Sequence, residues 1–115
     1  MAETCLFCNI IAGIVPATLI YQDEHVVTFN DLHPQSPQHK LIIPRQHIAT
    51  LNDIKAEDTW LVGHLLKTAQ HLAEQLAIAE AGYRVVMNCN RAGGQMVYHL
   101  HLHLLGGRDL SWPPG

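Results

Sequence analysis

Apolar positions along this chain follow two spacings, and the switches between them mark out the elements. Between Glu57 and Ala79, Leu61, Leu65, Ala69, Leu72 and Leu76 recur at three- and four-residue steps. That spacing puts them in one stripe along a long helix, with Gly82 in its C-terminal cap region. Elsewhere the runs are short and rich in β-branched and aromatic residues. Thr18–Tyr21 and His25–Asn30 read as two strands joined by the polar turn Gln22-Asp23-Glu24. Lys40–Pro44 reads as a short buried strand that the proline ends, and Tyr83–Asn88 as another strand. Val97–Leu105 alternates strictly, with His99, His101 and His103 on one side and Leu100, Leu102 and Leu104 on the other. Before all of these, Thr4 can cap a short helix reaching about Ala12, with Gly13 as its stop.

The connections are loops: Asp31–Gln38 with two prolines, Asn90–Gln95 with a glycine pair, and Gly106-Gly107 closing the last strand. Strands come first as a meander, then one long helix, then two further strands. That order predicts an α+β fold: a mostly antiparallel sheet of about five strands, one long helix and a short N-terminal helix.

A chain of 115 residues that is 48% apolar and 15% charged has one core and no room for a second, so residues 1–115 read as a single domain. Ten acidic residues against seven basic give a net charge of −3, the wrong sign for coating a nucleic-acid backbone. No apolar run has the length of a membrane span, and the start of the chain lacks the pattern of an export signal. A cytoplasmic protein is the expectation.

Nine histidines are many for this length, and three of them alternate in one strand. Serine or lysine would solvate a strand face equally well, and neighbouring imidazoles repel once charged, so the clustering points to chemistry. The three rings would lie about 6.6–6.8 Å apart along the backbone. They could bind a catalytic metal, or one ring could act as a nucleophile that its neighbours tune. A neutral ring nitrogen can attack phosphorus and later leave, dividing one hard displacement into two easier ones. Gly93-Gly94-Gln95 just upstream could offer backbone N–H groups to phosphate oxygens, which favours the nucleophile. No P-loop or dinucleotide fingerprint is present. Outside these, Cys5-Leu6-Phe7-Cys8 is a CxxC at a helix start; with no strand before it, it is a poor redox motif, and as half of a zinc site it needs two more ligands.

The segment from Gly94 through His99-Leu100-His101-Leu102-His103-Leu104-Leu105 to Arg108 resembles the histidine triad signature. With Phe29-Asn30-Asp31-Leu32, His39 ahead of Leu41-Ile42-Ile43-Pro44, and the ending Trp112-Pro113-Pro114-Gly115, nearly the whole chain is similar to the Hint branch of the histidine triad (HIT) superfamily. The resemblance implies a homodimeric purine nucleoside phosphoramidase. It would hydrolyse adenosine or guanosine 5′-phosphoramidates and aminoacyl adenylates to the nucleoside monophosphate, with no catalytic metal. By position it implies His101 as the nucleophile, His103 as a phosphate contact and His39 as proton relay to the leaving amine. It places Asp31 on the ribose, Asn88 and the Gly94-Gln95 backbone at the phosphate and ribose end, and Phe7, Ile10, Phe29 and Leu32 around the purine.

Met96 departs from the serine or threonine common at its position, and a thioether is a poor hydrogen-bond substitute beside a phosphoramidate. The resemblance also completes the cysteine pair with His47 and His99 as a structural Cys₂His₂ zinc site. Cys89, Trp60 and Met87 are expected in the core, and His25, His33, His64 and His71 without a functional role. The tail with Trp112 is expected to pack on a partner copy. Two other classes stay open: a nucleotide-binding interaction module without turnover, and a metallohydrolase using the triad as ligands.

Overall fold

The computed structural model describes residues 4–115. A short helix α1 (Leu6–Ile11) leads into strands β1 (Leu19–Gln22), β2 (Val26–Asn30) and β3 (Gln38–Pro44). Helix α2 (Thr59–Gln75) follows, then β4 (Tyr83–Val86) and β5 (Leu102–Gly106). The strands form one five-stranded antiparallel sheet in the order β1-β2-β3-β5-β4, so the α+β expectation holds. No helix among the described residues is long and apolar enough to cross a membrane.

Period-two alternation splits the sheet into two apolar faces. Val26, Ile42, Leu100, Leu102 and Leu104 point to the α2 stripe of Leu61, Leu65, Ala69 and Leu72. Val27, Phe29, Leu41 and Ile43 point the other way and pack with Cys5 and Phe7 of the N-terminal segment. The central strand β3 is therefore buried on both faces, which explains why its sequence is a run and not an alternation. Truncating a fully buried residue such as Leu65 or Leu100 to alanine is worth about 2–5 kcal/mol of lost stability.

Several expectations need correction. Cys5, and not Thr4, caps α1: its Sγ accepts the Cys8 N–H at 3.3 Å. Helix α2 stops at Gln75 and not Ala79, because Ala77 turns left-handed (φ 59°) and the Ile78 N–H folds back onto the Ala73 carbonyl at 3.0 Å. Trp60 is 61% exposed; it lies beside the apolar stripe and stacks on His64 at 4.9 Å. His64 Nε2 donates to Asp23 Oδ2 at 2.8 Å and so tethers α2 to the β1–β2 turn. Cys89 lies beyond β4, which ends at Val86.

The largest difference is the last strand, which begins at Leu102 and not Val97. The register that pairs Ile42 with Leu102 would bring Pro44 opposite Leu100. Pro44 has no N–H to give, and its carbonyl accepts from the His99 ring at 2.7 Å. The Leu100 N–H turns instead to the Ile48 carbonyl, at 2.6 Å. Side chains keep alternating through this irregular stretch, so Leu100 still enters the α2 core while His99 and His101 face the opposite side.

Candidate functional site

The three triad rings are not solvated. His99 and His101 are buried, and His103 is half-buried. Their surroundings separate them into two sites.

His99 joins the cysteine pair. Its Nδ1 lies 3.4 Å from Cys5 Sγ, 3.5 Å from Cys8 Sγ and 3.2 Å from His47 Nδ1, and Cys8 Sγ lies 3.3 Å from His47 Nδ1. A tetrahedral zinc with bonds of about 2.0 Å to nitrogen and 2.3 Å to sulfur has edges of about 3.3–3.8 Å. The donor set and the spacing both fit. The protons fit as well: the Pro44 carbonyl demands a hydrogen on His99 Nε2, which leaves Nδ1 as a lone pair facing the thiols. Burial pushes the ring down to about 4, so it is neutral at pH 7.

His101 and His103 open into a cavity of about 640 Å³ on the α1 side of the sheet. Phe7, Ile10, Phe29, Asp31, Leu32, His39, Asn88, Gly94 and Met96 line it with them. The sequence reading therefore brought one real constellation together. Leu32 and Met96 form its outer lip and are 87% and 88% exposed. Gln95 is not on the lining. Its side chain is buried as a clasp, donating to the Ala49 and Val97 carbonyls at 2.8 and 3.1 Å and accepting the Asn90 N–H at 2.8 Å, which sets the glycine loop in place. The sequence reading missed Val15–Thr18, which complete the apolar wall after α1, and the Gln35 peptide beside His39. A Pro-Ala-Thr stretch after a helix stop carries no signal beyond loop.

Backbone groups fix the state of every ring here. His101 Nδ1 is 2.7 Å from the His99 carbonyl, so Nδ1 carries the hydrogen and Nε2 keeps a free lone pair. The ring stands edge-on to Phe7, with centroids 5.2 Å apart. The Gln35 N–H donates to His39 Nδ1 at 3.0 Å, so the hydrogen of His39 is on Nε2. That Nε2 donates to His103 Nδ1 at 2.9 Å, and His103 in turn must carry its hydrogen on Nε2. Asp31 Oδ2 lies 3.4 Å from His39 Nε2 and 4.0 Å from His103 Nδ1. Burial lowers His39, His101 and His103; His103 falls to about 4, helped by its two imidazole neighbours, while Asp31 opposes the shift at all three. All three rings are neutral at pH 7.

Comparison with known proteins agrees with this geometry. The HIT domain pattern matches residues 12–110. The chain belongs to the HIT family. It is 51% identical over 111 residues to the purine nucleoside phosphoramidase of Escherichia coli K12, covering 96% of this chain and 93% of that one. It is 50% identical over its full length, and that of the relative, to an uncharacterised HIT-like protein of Synechococcus elongatus. Among solved structures, a HIT family hydrolase from Legionella pneumophila Philadelphia 1 superposes with a TM-score of 0.95 at 51% identity, covering 96% of this chain and 99% of that one. A zinc-bound histidine triad family protein from Mycobacterium smegmatis superposes at 0.82 with 31% identity, covering 95% and 78%.

Proposed function

We propose that this HIT protein is a purine nucleoside phosphoramidase working through a nucleotidyl-histidine intermediate. One observation carries the reading: His101 is held neutral, with Nδ1–H on the His99 carbonyl and a bare Nε2 in the cavity. Nε2 attacks the phosphorus of an adenosine or guanosine 5′-phosphoramidate, or of an aminoacyl adenylate. In the phosphoramidate the P–N bond to the amine breaks as the Nε2–P bond forms. The ring becomes cationic in that step, and the His99 carbonyl, already accepting its Nδ1–H, stabilises the charge. His103 presents Nε2–H to the phosphoryl group, and the His39–His103 pair relays a proton from solvent to the departing amine, each ring regaining its hydrogen as it passes one on. Water then displaces the histidine and releases the monophosphate.

Asp31 accepts the ribose hydroxyls, Asn88 and the Gly94-Gln95 backbone hold the phosphate end, and Phe7, Ile10, Phe29 and Leu32 wall the purine. The chemistry rests on imidazole and on no catalytic metal. A structural zinc at Cys5, Cys8, His47 and His99 would cross-link α1, the segment after β3 and the triad stretch. Trp112, 80% exposed above Arg84 at 6.0 Å, suits burial against a second copy in a homodimer.

The test is His101→Ala. Turnover of an adenosine phosphoramidate should vanish while adenosine monophosphate still binds; retained turnover rules the mechanism out. The exposed Met96 favours a second reading, a nucleotide-binding module without turnover. An absent steady-state rate in the intact protein would select it.

A further inference from the structure

The triad chemistry above depends on which nitrogen of His103 carries the hydrogen, and that choice is made outside the triad. Neutral imidazole has two tautomers close in energy, and its surroundings choose between them. Here the choice passes along a chain: the Gln35 N–H points at His39 Nδ1, His39 Nε2–H points at His103 Nδ1, and His103 Nε2–H is left for the cavity. Rotating the Gln35 peptide away removes the only donor in that chain whose hydrogen cannot move, since an amide keeps its proton where a ring can exchange it.

The Gln35 peptide sits in the exposed Asp31–Gln38 loop. Inside the loop, Asp31 Oδ1 accepts the His33 N–H at 2.8 Å and the Gln35 side chain donates to the His33 carbonyl at 2.9 Å. Two contacts hold the loop from the segment after β5. Arg108 Nη2 donates to the Gln35 carbonyl at 2.8 Å while Nη1 donates to the Asp109 carbonyl at 2.9 Å. Gly107, at φ +91°, lies so close that a Cβ there would stand 2.9 Å from Pro37 Cβ. An exposed arginine reaching a backbone carbonyl 73 positions away in sequence is a strap on the loop that carries the tautomer-setting N–H.

We propose that Arg108 is a positioning residue for His103: by anchoring the Gln35 backbone at its carbonyl it keeps the adjoining N–H on His39, and so the His39–His103 pair in the tautomer that offers Nε2–H to the phosphoryl group. Arg108 touches neither ring; it holds the carbonyl on one side of the Gln35 Cα, and the N–H that faces His39 is in the peptide unit on the other side. The expected effect on turnover rests on the phosphoramidase reading, but the ring state does not, so the two can fail separately.

The experiment compares the full-length protein with Arg108→Ala and Arg108→Lys by long-range ¹H–¹⁵N correlation of the histidine rings at pH 7.5, without nucleotide. The unaltered protein should show His39 and His103 each with a protonated Nε2 and a bare Nδ1. In Arg108→Ala both rings should move toward tautomer-averaged shifts. Turnover should fall about tenfold, a part of what a positioned acid contributes, with KM and adenosine monophosphate binding within about twofold. Arg108→Lys keeps a donor for the Gln35 carbonyl and should restore both readouts most of the way. Unchanged ring-nitrogen shifts in Arg108→Ala overturn the proposal, whether or not turnover falls; so does a loss confined to nucleotide affinity.

Discussion

Two clusters in this protein satisfy the same distance test for a metal ion. The ligand atoms of Cys5, Cys8, His47 and His99 lie within 4.8 Å of one another, and so do those of Asp31, His39 and His103. Distance does not separate them; protons do. At the first cluster a backbone carbonyl takes the far hydrogen of His99, so a lone pair faces the thiols. At the second a backbone N–H takes the Nδ1 lone pair of His39, so the nitrogen facing His103 and Asp31 carries a hydrogen. A cation there would require that hydrogen to move to Nδ1, against the Gln35 N–H. The first cluster turns lone pairs toward its centre, as a metal requires, and the second turns a hydrogen. The lesson is that the second backbone partner of a histidine decides its chemistry.

That contrast can be broken most sharply at the nucleophile. His101→Ala should cost at least about 10³-fold in turnover, as loss of a covalent nucleophile does elsewhere, with melting temperature little changed. The next effect belongs to the metal cluster. Cys5→Ser should lower bound zinc from one equivalent to near none and the melting temperature by about 10 °C, roughly 2 kcal/mol, while largely sparing turnover. His39→Gln should do the reverse, losing turnover and keeping one zinc. A second equivalent of zinc that disappears with His39 would erase the distinction, and a metal-free unaltered protein would end the first half of it.

A smaller effect tests a carboxylate outside both clusters. Burial pushes the Asp23 carboxyl up, but the His25 and Val26 N–H groups, His64 and Tyr21 outweigh this and hold it well below the usual range. A carboxylate depressed in the folded state stabilises above its unfolded value, near pH 4, and that contribution drains away as pH falls further. Asp23→Asn should therefore lower stability by about 1 kcal/mol at pH 7, and the gap should close below about pH 4 in paired thermal melts. A gap that widens in acid would contradict the assignment. Smallest of all, Met96→Ser should leave stability within about 0.5 kcal/mol and change the ranking of leaving amines at the cavity lip. An unchanged ranking would detach Met96 from the leaving-group side.

How much of this was legible in the sequence depends on range. The α2 stripe and the two strand faces were readable because burial imposes its period on every residue of an element. Helix and strand ends were less so: Ala77 has no sequence mark of a left-handed turn, and the late start of β5 follows from Pro44, a residue on the neighbouring strand. The candidate site was legible in its members, because nine histidines and a CxxC are conspicuous. The tautomers were not, since they depend on the carbonyls of Pro44 and His99 and on the Gln35 amide, which any residue type would supply. Gln95 was expected at the phosphate end, but its side chain is off the cavity lining, and its long amide works on backbone groups of Asn90, Val97 and, from the segment after β3, Ala49.

His39 and His103 stand on β3 and β5, the middle of the sheet, where Leu41 and Ile42 pair with His103 and Leu102. Much of the cavity wall comes from outside the sheet, from α1, the stretch 15–18, Leu32 and Met96, beside Phe29 and Leu41 on β2 and β3. The histidine pair and the outer wall thus stand on parts with unequal freedom to vary, one locked in strand pairing and the other in loop and lip. If the phosphoramidase reading holds, lip and wall residues are free to change and admit a new base or amine, while the histidines paired between β3 and β5 keep the displacement the same.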